Sequence, residues 1–376
     1  MMQFKDVFPT LAHRSSLAAI QRLGFDNPPL RRHLKDLFGR PYGNDGALLA
    51  DPVFEAVFGW RTADANLGDL AGNLLHESLV QALDNPPEDL ADTYRFRRSR
   101  RPYTHQLAAW ERLCSPIPQS VVVSSGTGSG KTECFMVPLL DHLARLHDQH
   151  GGNLVGVRAL FLYPLNALIN SQRERLRAWT HAFGGGIRFC LYNGNTPETV
   201  RSDVQNANPC EVLGRDTLRA SPPPILVTNA SMLEYMLVRG VDVPILARSQ
   251  GMLEWVVLDE AHTYIGSQAA EAALLIRRVL HAFGVQPENV RFVATSATIG
   301  DPQGEAGQKL RAFLADVAGT DIGRVHLVAG ERLVPSLDAI KEQNDLGLDA
   351  LQAIDPGTLV SVPRFSALCE NKTARR

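Results

Sequence analysis

The run SSGTGSGKTECF, Ser124 to Phe135, closes with Gly130-Lys131-Thr132, the end of a phosphate-binding loop of the form G-x-x-x-x-G-K-[ST]. Ser125 stands where that form has its first glycine. The remaining glycines still let backbone N–H groups come close to phosphate oxygens, and a helix N-terminus directly after them favours anions. In that role Ser125, Gly126, Thr127, Gly128, Ser129 and Gly130 wrap a polyphosphate, Lys131 reaches its outer phosphates and Thr132 holds Mg²⁺. The second reactive run is LDEAHTY, Leu258 to Tyr264. An acidic pair at a strand end suits hydrolysis of a nucleoside triphosphate. Asp259 would complete the Mg²⁺ shell and Glu260 would orient and deprotonate the attacking water. The plain alternatives are a Gly/Ser turn with a chance G-K-T and a solvated acidic pair; context separates them.

That context is alternating strands and helices. Short apolar runs recur as SVVVSS (Ser120 to Ser125), ALFLYP (Ala159 to Pro164), IRFCLY (Ile187 to Tyr192), PILVTN (Pro224 to Asn229), WVVLDE (Trp255 to Glu260) and RFVATS (Arg291 to Ser296). Helical patterns lie between them, at Thr132 to Leu146, Ala167 to Phe183 and Gln268 to Phe283. Such alternation predicts an α/β fold with a mainly parallel sheet covered on both faces, and ligands beyond the carboxyl ends of the strands. Both reactive runs fall at such ends. The loop also leads directly into a helix, as a phosphate site requires.

Taken together, the runs resemble superfamily-2 DEAD/DEAH-box helicases, in their large-helicase-related branch. The loop S-G-T-G-S-G-K-T is similar to the family's A-x-T-G-S-G-K-T, in which Ala or Ser commonly replaces the first glycine. Asp259 to His262 match D-E-A-H, and Ser296-Ala297-Thr298 match the S-A-T motif. The resemblance makes His262, Ser296, Ala297 and Thr298 coupling residues between nucleotide state and the nucleic-acid track. LNALINSQ after Tyr163-Pro164, and Thr228-Asn229 before Ser231-Met232-Leu233, resemble two nucleic-acid-contacting motifs. The residues carried over from these are Pro164, Asn166, Ala167, Thr228, Asn229 and Met232. YNGNT, Tyr192 to Thr196, resembles the Y-x-G-x-T segment of the same branch and implies DNA rather than RNA. RRPYTHQLAAW, Arg100 to Trp110, resembles the element that reads adenine ahead of the phosphate loop, which makes Gln106 its candidate. The implied cofactors are ATP and Mg²⁺, and the implied fold is a RecA-like P-loop lobe.

The family works with two such lobes, the second supplying an arginine finger. After Thr298 neither a second strand–helix series nor a Q-x-x-G-R-x-x-R motif is found; TDIGRVH (Thr320 to His326) falls too close to S-A-T. The chain therefore reads as a helical extension over 1–101, a helicase ATP-binding lobe over 102–329 and a linker or truncated following region over 330–376. The last contains one expected helix, Ser336 to Asn344. The second lobe is expected from a longer chain or a partner. A non-catalytic nucleotide- and nucleic-acid-binding regulator, and the motor of a restriction or phage-defence system, are the other readings.

Bulk properties narrow the class. The 376 residues carry a formal net charge of -2, so nucleic-acid contact must come from local patches or backbone amides. One such patch is Arg95, Arg97, Arg98, Arg100 and Arg101 with Tyr94 and Phe96, which reads either as a phosphate grip or as solvated surface. Five scattered cysteines without a C-x-x-C pair fit a reducing cytosol. His147-Asp148 has no matching second cluster and reads as surface. No apolar run approaches a membrane span, so a cytoplasmic protein is expected. In 1–101 the turns at DNPP, PYGNDG and DNPP separate helical stretches, among them Leu67 to Leu83.

Overall fold

The structure, a computed structural model, describes residues 4–41, 43–50, 58–126, 128–264, 267–296 and 304–334. Of the expected site residues, Thr127, Ala297 and Thr298 lie outside these, as does the expected helix at 336–344. The chain divides into two compact units, Met1–Phe58 and Gly59–Arg376. In the first, α1 (Phe4–Leu23) and α2 (Pro28–Phe38) are joined by Ser16, whose hydroxyl donates to Phe38 O at 2.6 Å. Asn27 caps α2 by accepting from Leu30 N, and the prolines at its start fix φ where no N–H is needed.

The second unit is built on a seven-stranded parallel sheet in the order β3-β4-β2-β5-β6-β1-β7. The strands are β1 (Ser120–Ser124), β2 (Ala159–Leu162), β3 (Phe189–Leu191), β4 (Ile225–Thr228), β5 (Trp255–Leu258), β6 (Arg291–Ser296) and β7 (Val325–Ala329). Strands β1 to β6 carry the six apolar runs. Strand β7 is an edge strand beside β1 that the sequence reading did not include. Every residue of β1, β2, β4, β5 and β6 is buried, which is why these strands read as continuous apolar runs. Alternate side chains enter two cores, one on each face. Val121, Val123, Phe161 and Trp255 join one, and Val122, Leu160, Val256 and Phe292 the other.

The helices that matter for the site are α3 (Glu77–Asp84), α4 (Glu88–Tyr94), α5 (Thr104–Leu113), α6 (Lys131–His150), α7 (Asn166–Ser171), α8 (Arg173–Thr180), α9 (Ala230–Val238), α10 (Ser267–Phe283) and α11 (Glu305–Ala318). Two expected helices are broken. Leu67 to Leu83 forms a single turn, Leu67–Leu70, then reverses at Gly72, whose φ of 76° belongs to the left-handed region, before α3 begins. Ala167 to Phe183 divides at Gln172 into α7 and α8, with a final 3₁₀ turn at His181–Phe183.

Residues 59–101, set apart by texture in the sequence, share the core of the lobe. Leu67, Leu75, Leu79, Leu83 and Phe96 are buried in one cluster with Trp110, Phe135 and Phe161. Burying each such side chain contributes about 1.5–3 kcal/mol, so this segment is part of the lobe's stability. Gly59 to Thr62 runs beside Gly330 to Leu333: Trp60 bridges Arg332, Arg61 N donates to Glu331 O, and Leu333 N donates to Gly59 O.

Candidate functional site

Sheet order decides which motifs meet. Strands β5, β6 and β1 are neighbours, in register from Leu258↔Ala294 to Ser124↔Ser296. Their carboxyl ends therefore deliver Asp259-Glu260, Ser296 and the phosphate loop side by side. Strands β2 and β4, paired Leu162↔Thr228, deliver Pro164-Asn166 and Thr228-Asn229 to the other half of the same edge.

The serine at position 125 has a structural task. Ser125 is buried, and its Oγ lies 2.6 Å from Ser129 Oγ, so the two hydroxyls cross-brace the loop. Gly128 and Gly130 both have φ of 72°, where a Cβ is strained. A Cβ on Gly130 would also lie 2.2 Å from Gln106 Nε2. Helix α6 begins at Lys131, so its first N–H groups face the loop.

Helix α5 holds the loop from outside. His105 Nε2 donates to Ser129 O at 2.8 Å and Gln106 Nε2 donates to Gly130 O at 3.2 Å. Burial pushes the His105 pKa down, which keeps the ring neutral with its proton on Nε2. Gln106 Oε1 accepts from Tyr103 N at 2.9 Å, closing a capping box at the start of α5. The candidate adenine reader thus has both polar ends bonded within the chain and is 4% exposed.

Opposite the loop, Asp259 follows β5 and Glu260 takes φ 53°, the only non-glycine with positive φ among the described residues. Such a conformation is uncommon and costs of order 1–3 kcal/mol, so something must hold it. Thr295 does: its Oγ1 accepts from Glu260 N at 3.1 Å and donates to Asp259 Oδ1. Glu260 O accepts from Thr263 N at 2.8 Å, closing the following turn. Burial pushes the Asp259 carboxyl up. The Thr295 hydrogen bond and Lys131 pull the other way, while the Glu260 charge adds to the rise. Lys131 Nζ donates to Ser296 O at 3.5 Å. A cleft of about 410 Å³ is lined by Gly126, Gly128 to Thr132, Gln106 and Glu260 together with Tyr94, Phe96, Arg100, Tyr103, Arg175 and Trp179.

These residues fit a magnesium nucleotide. The loop has the glycine geometry and helix N-terminus for a polyphosphate, and Lys131 supplies a cation. Thr132 and Asp259 offer one hydroxyl and one carboxylate, the sparse protein share that Mg²⁺ takes when phosphates and waters complete its octahedron.

The second half of the edge forms a cleft of about 730 Å³. Pro164, Asn166, Asn229 and Met232 line it, together with Gly194 of YNGNT and Tyr264. Asn229 caps α9 by accepting from Met232 N at 2.8 Å, and its Nδ2 donates to Asn166 Oδ1 at 2.8 Å. Thr228 is fully buried and donates to Tyr192 O at 2.7 Å, so its hydroxyl faces the strand rather than the cleft. Ala167 is exposed and does not line it. Residue 262 is described only in its backbone, within the turn Ala261–Thr263.

The arginine run is partly neutralised: Arg95 pairs with Asp84 at 2.8 Å, Arg98 with Glu77, and Arg100 lies over the Phe96 ring. His147 and Asp148 lie on α6, and among the described residues no group of three His, Cys, Asp or Glu could hold a metal. Thr295 was not singled out from the sequence, although a threonine directly before Ser296 at a strand end is a visible signal.

Residues 103–305, more than half of the chain, match the DEAD/DEAH box helicase family. The chain belongs to that family. It is 28% identical over 331 residues to Druantia protein DruE of Escherichia coli (strain UMEA 4076-1), covering 62% of this chain and 18% of that protein. It is 29% identical over 252 residues to the uncharacterized ATP-dependent helicase YprA of Bacillus subtilis (strain 168), covering 64% and 30%. Among solved structures it is similar to the DUF1998 helicase MrfA bound to DNA, with a TM-score of 0.50 and 24% identity over 74% of this chain and 30% of that one. That likeness is one of fold. The chain thus spans less than a third of the length of these relatives. The lobe around β1 to β7 is the RecA-like nucleotide-binding domain of the family. No helix among the described residues is long and apolar enough to cross a membrane.

Proposed function

We propose that this lobe binds Mg·ATP between the phosphate loop and Asp259-Glu260, and that the protein uses its hydrolysis to move along or unwind nucleic acid. The observation that carries this reading is the meeting of loop, acidic pair and Thr295 on three adjacent strand ends, with Glu260 held in a strained conformation and lining one cleft with Lys131. The roles follow from chemistry. Lys131 and the amides of the loop and α6 hold the phosphates, while Thr132 and Asp259 hold Mg²⁺. Glu260 orients and deprotonates water. Hydrolysis at full rate needs an arginine finger to stabilise charge on the transferred phosphoryl group, and the family resemblance makes a second RecA-like lobe its source.

The cleft at Asn166 and Asn229 is the nucleic-acid side, and DNA is the preferred track. The Y-x-G-x-T resemblance at Tyr192 to Thr196 and the DNA-bound state of the structural relative support that choice.

The test is ATP hydrolysis by the 376-residue chain with and without single-stranded DNA, beside Glu260→Gln. Turnover that DNA stimulates and Glu260→Gln abolishes supports a working motor. Mg·ATP binding without turnover supports the requirement for a second lobe. Failure of the chain to bind Mg·ATP at all would overturn the reading.

A further inference from the structure

We propose that the outer edge of β7 docks an extended, acidic segment of a partner protein, which joins the sheet as an added strand. The residues involved line neither of the two clefts above.

The backbone offers the pairing. Strand β7 ends the sheet beside β1, in parallel register from Ser120↔Val325 to Ser124↔Ala329. Gly330 N continues the ladder by donating to Ser124 O at 3.1 Å. Successive residues of a strand turn their N–H and C=O groups to opposite sides. Those of His326 and Val328 therefore serve β1, and those of Val325, Leu327 and Ala329 face outward. Arg311 meets the first of these, its Nε donating to Val325 O at 2.9 Å. The outward amides and carbonyls of Leu327 and Ala329 have no partner among the described residues. That alternation is what an added strand pairs with.

The walls offer the charge. The edge opens into a groove of about 600 Å³ between α5, which covers one face of the sheet, and α11, which covers the other. Ala108 of α5 and Gly307 of α11 are the small residues in its lining. Its charged or titratable lining is Arg112, Arg311 and His326, with no carboxylate among the described lining residues. The Arg112 guanidinium makes no hydrogen bond or ion pair among the described residues. His326 Nε2 donates to Gln119 Oε1 at 2.9 Å, which fixes the ring. Burial, then the charges of Arg112 and Arg311, push the His326 pKa down, so the three groups share one positive field. A second copy of β7 would set these cations against their own kind, a costly juxtaposition. Nucleic-acid phosphates would meet the cations but offer no alternating donors and acceptors to Leu327 and Ala329. An acidic strand satisfies both.

The experiment titrates the full chain with a fluorescein-labelled octapeptide of alternating glutamate and valine, read by anisotropy. Saturable binding is expected, weaker as salt rises. A lysine–valine peptide should not bind, nor a glutamate–proline peptide, which keeps the charge but resists strand pairing. Arg112→Glu should weaken the glutamate–valine peptide about tenfold, and Arg112→Lys far less. Ala329→Pro removes one outward N–H, spares the ladder to β1, and should weaken the peptide about fivefold. Urea midpoints report whether each variant is folded; Arg112→Glu, at an exposed side chain, carries the test should Ala329→Pro unfold. No saturable binding of the glutamate–valine peptide would overturn the inference and leave the arginines as a guard against edge pairing. Equal binding of the glutamate–proline peptide would overturn it by reducing the site to a charged patch. Displacement of the peptide by single-stranded DNA, with DNA binding lost in Arg112→Glu, would assign the groove to phosphates instead. A dimer in sedimentation that Ala329→Pro dissociates would assign the edge to a second copy and likewise overturn the inference.

Discussion

The two clefts open from one row of strand ends, yet their walls differ in kind. The cleft at β1, β5 and β6 contains Lys131, Arg95, Arg100 and Arg175 together with Glu133 and Glu260. The cleft at β2, β4 and β5 contains Asn166, Asn229, Ser231 and Gln268, two glutamates, Glu234 and Glu271, and no lysine or arginine among its described lining residues. The first sets a cation, a helix N-terminus and a carboxylate around the loop, as the proposed Mg·ATP site requires. The second presents neutral amides, a capped helix end and two carboxylates, so in the proposed function it would meet nucleic acid through amides rather than cations.

The largest effect should separate the two clefts outright. Lys131→Ala should weaken Mg·ATP roughly a hundredfold, the scale of a lost charge-assisted contact to phosphate, while leaving single-stranded DNA binding within about twofold in the absence of nucleotide. Fluorescence titration of each ligand measures both. Equal losses of both ligands would mean that the clefts are not independent.

Next in size is Thr295→Val, which deletes the hydroxyl bridging Asp259 and Glu260 while keeping the shape of the strand end. ATP turnover in the assembled motor should fall about tenfold, for the loss of roughly one hydrogen bond to a charged group, and Thr295→Ser should restore most of it. A silent Thr295→Val would mean that Glu260 holds its left-handed conformation without help.

Asn229→Ala tests the other cleft. Removing the cap of α9 should cost about 1 kcal/mol of stability, seen as a lower urea midpoint, and should weaken DNA but not ATP.

The pH dependence gives a smaller effect with a definite sign. Because burial raises the Asp259 pKa, the carboxylate that Mg²⁺ needs is lost, as pH falls, earlier than for an ordinary aspartate near ~3.9. Mg²⁺-dependent nucleotide binding should therefore weaken on the acid side above that value, and further above it in Thr295→Val, which lacks the hydrogen bond that lowers the pKa. For the fold alone the sign reverses. A raised carboxyl contributes stability that is present below the unfolded pKa and lost as pH rises through the folded one. Asp259→Asn should thus slightly stabilise the nucleotide-free chain at neutral pH.

Much of this was legible in the sequence because it is local. Six strands announced themselves as apolar runs, since each is buried on both faces, and the phosphate loop, D-E-A-H and Ser296 lie at their ends. Strand β7 did not, because Val325 to Ala329 is an edge strand with only Val325 and Val328 buried. The break at Gln172 and the reversal at Gly72 were hidden within otherwise helical patterns. Within the site, Ser125 could be recognised as a permitted variant, but its pairing with Ser129 could not. Gln106 could be placed beside the loop, but its two bonds and burial depend on how α5 docks.

The most direct test of the division between the clefts is hydrogen exchange of the full chain with and without Mg·ATP. Protection is expected at 124–132 and 258–264, with 164–170 and 229–233 unchanged until single-stranded DNA is added. Protection that appears at 164–170 and 229–233 on adding Mg·ATP, with the phosphate loop unaffected, would contradict the account.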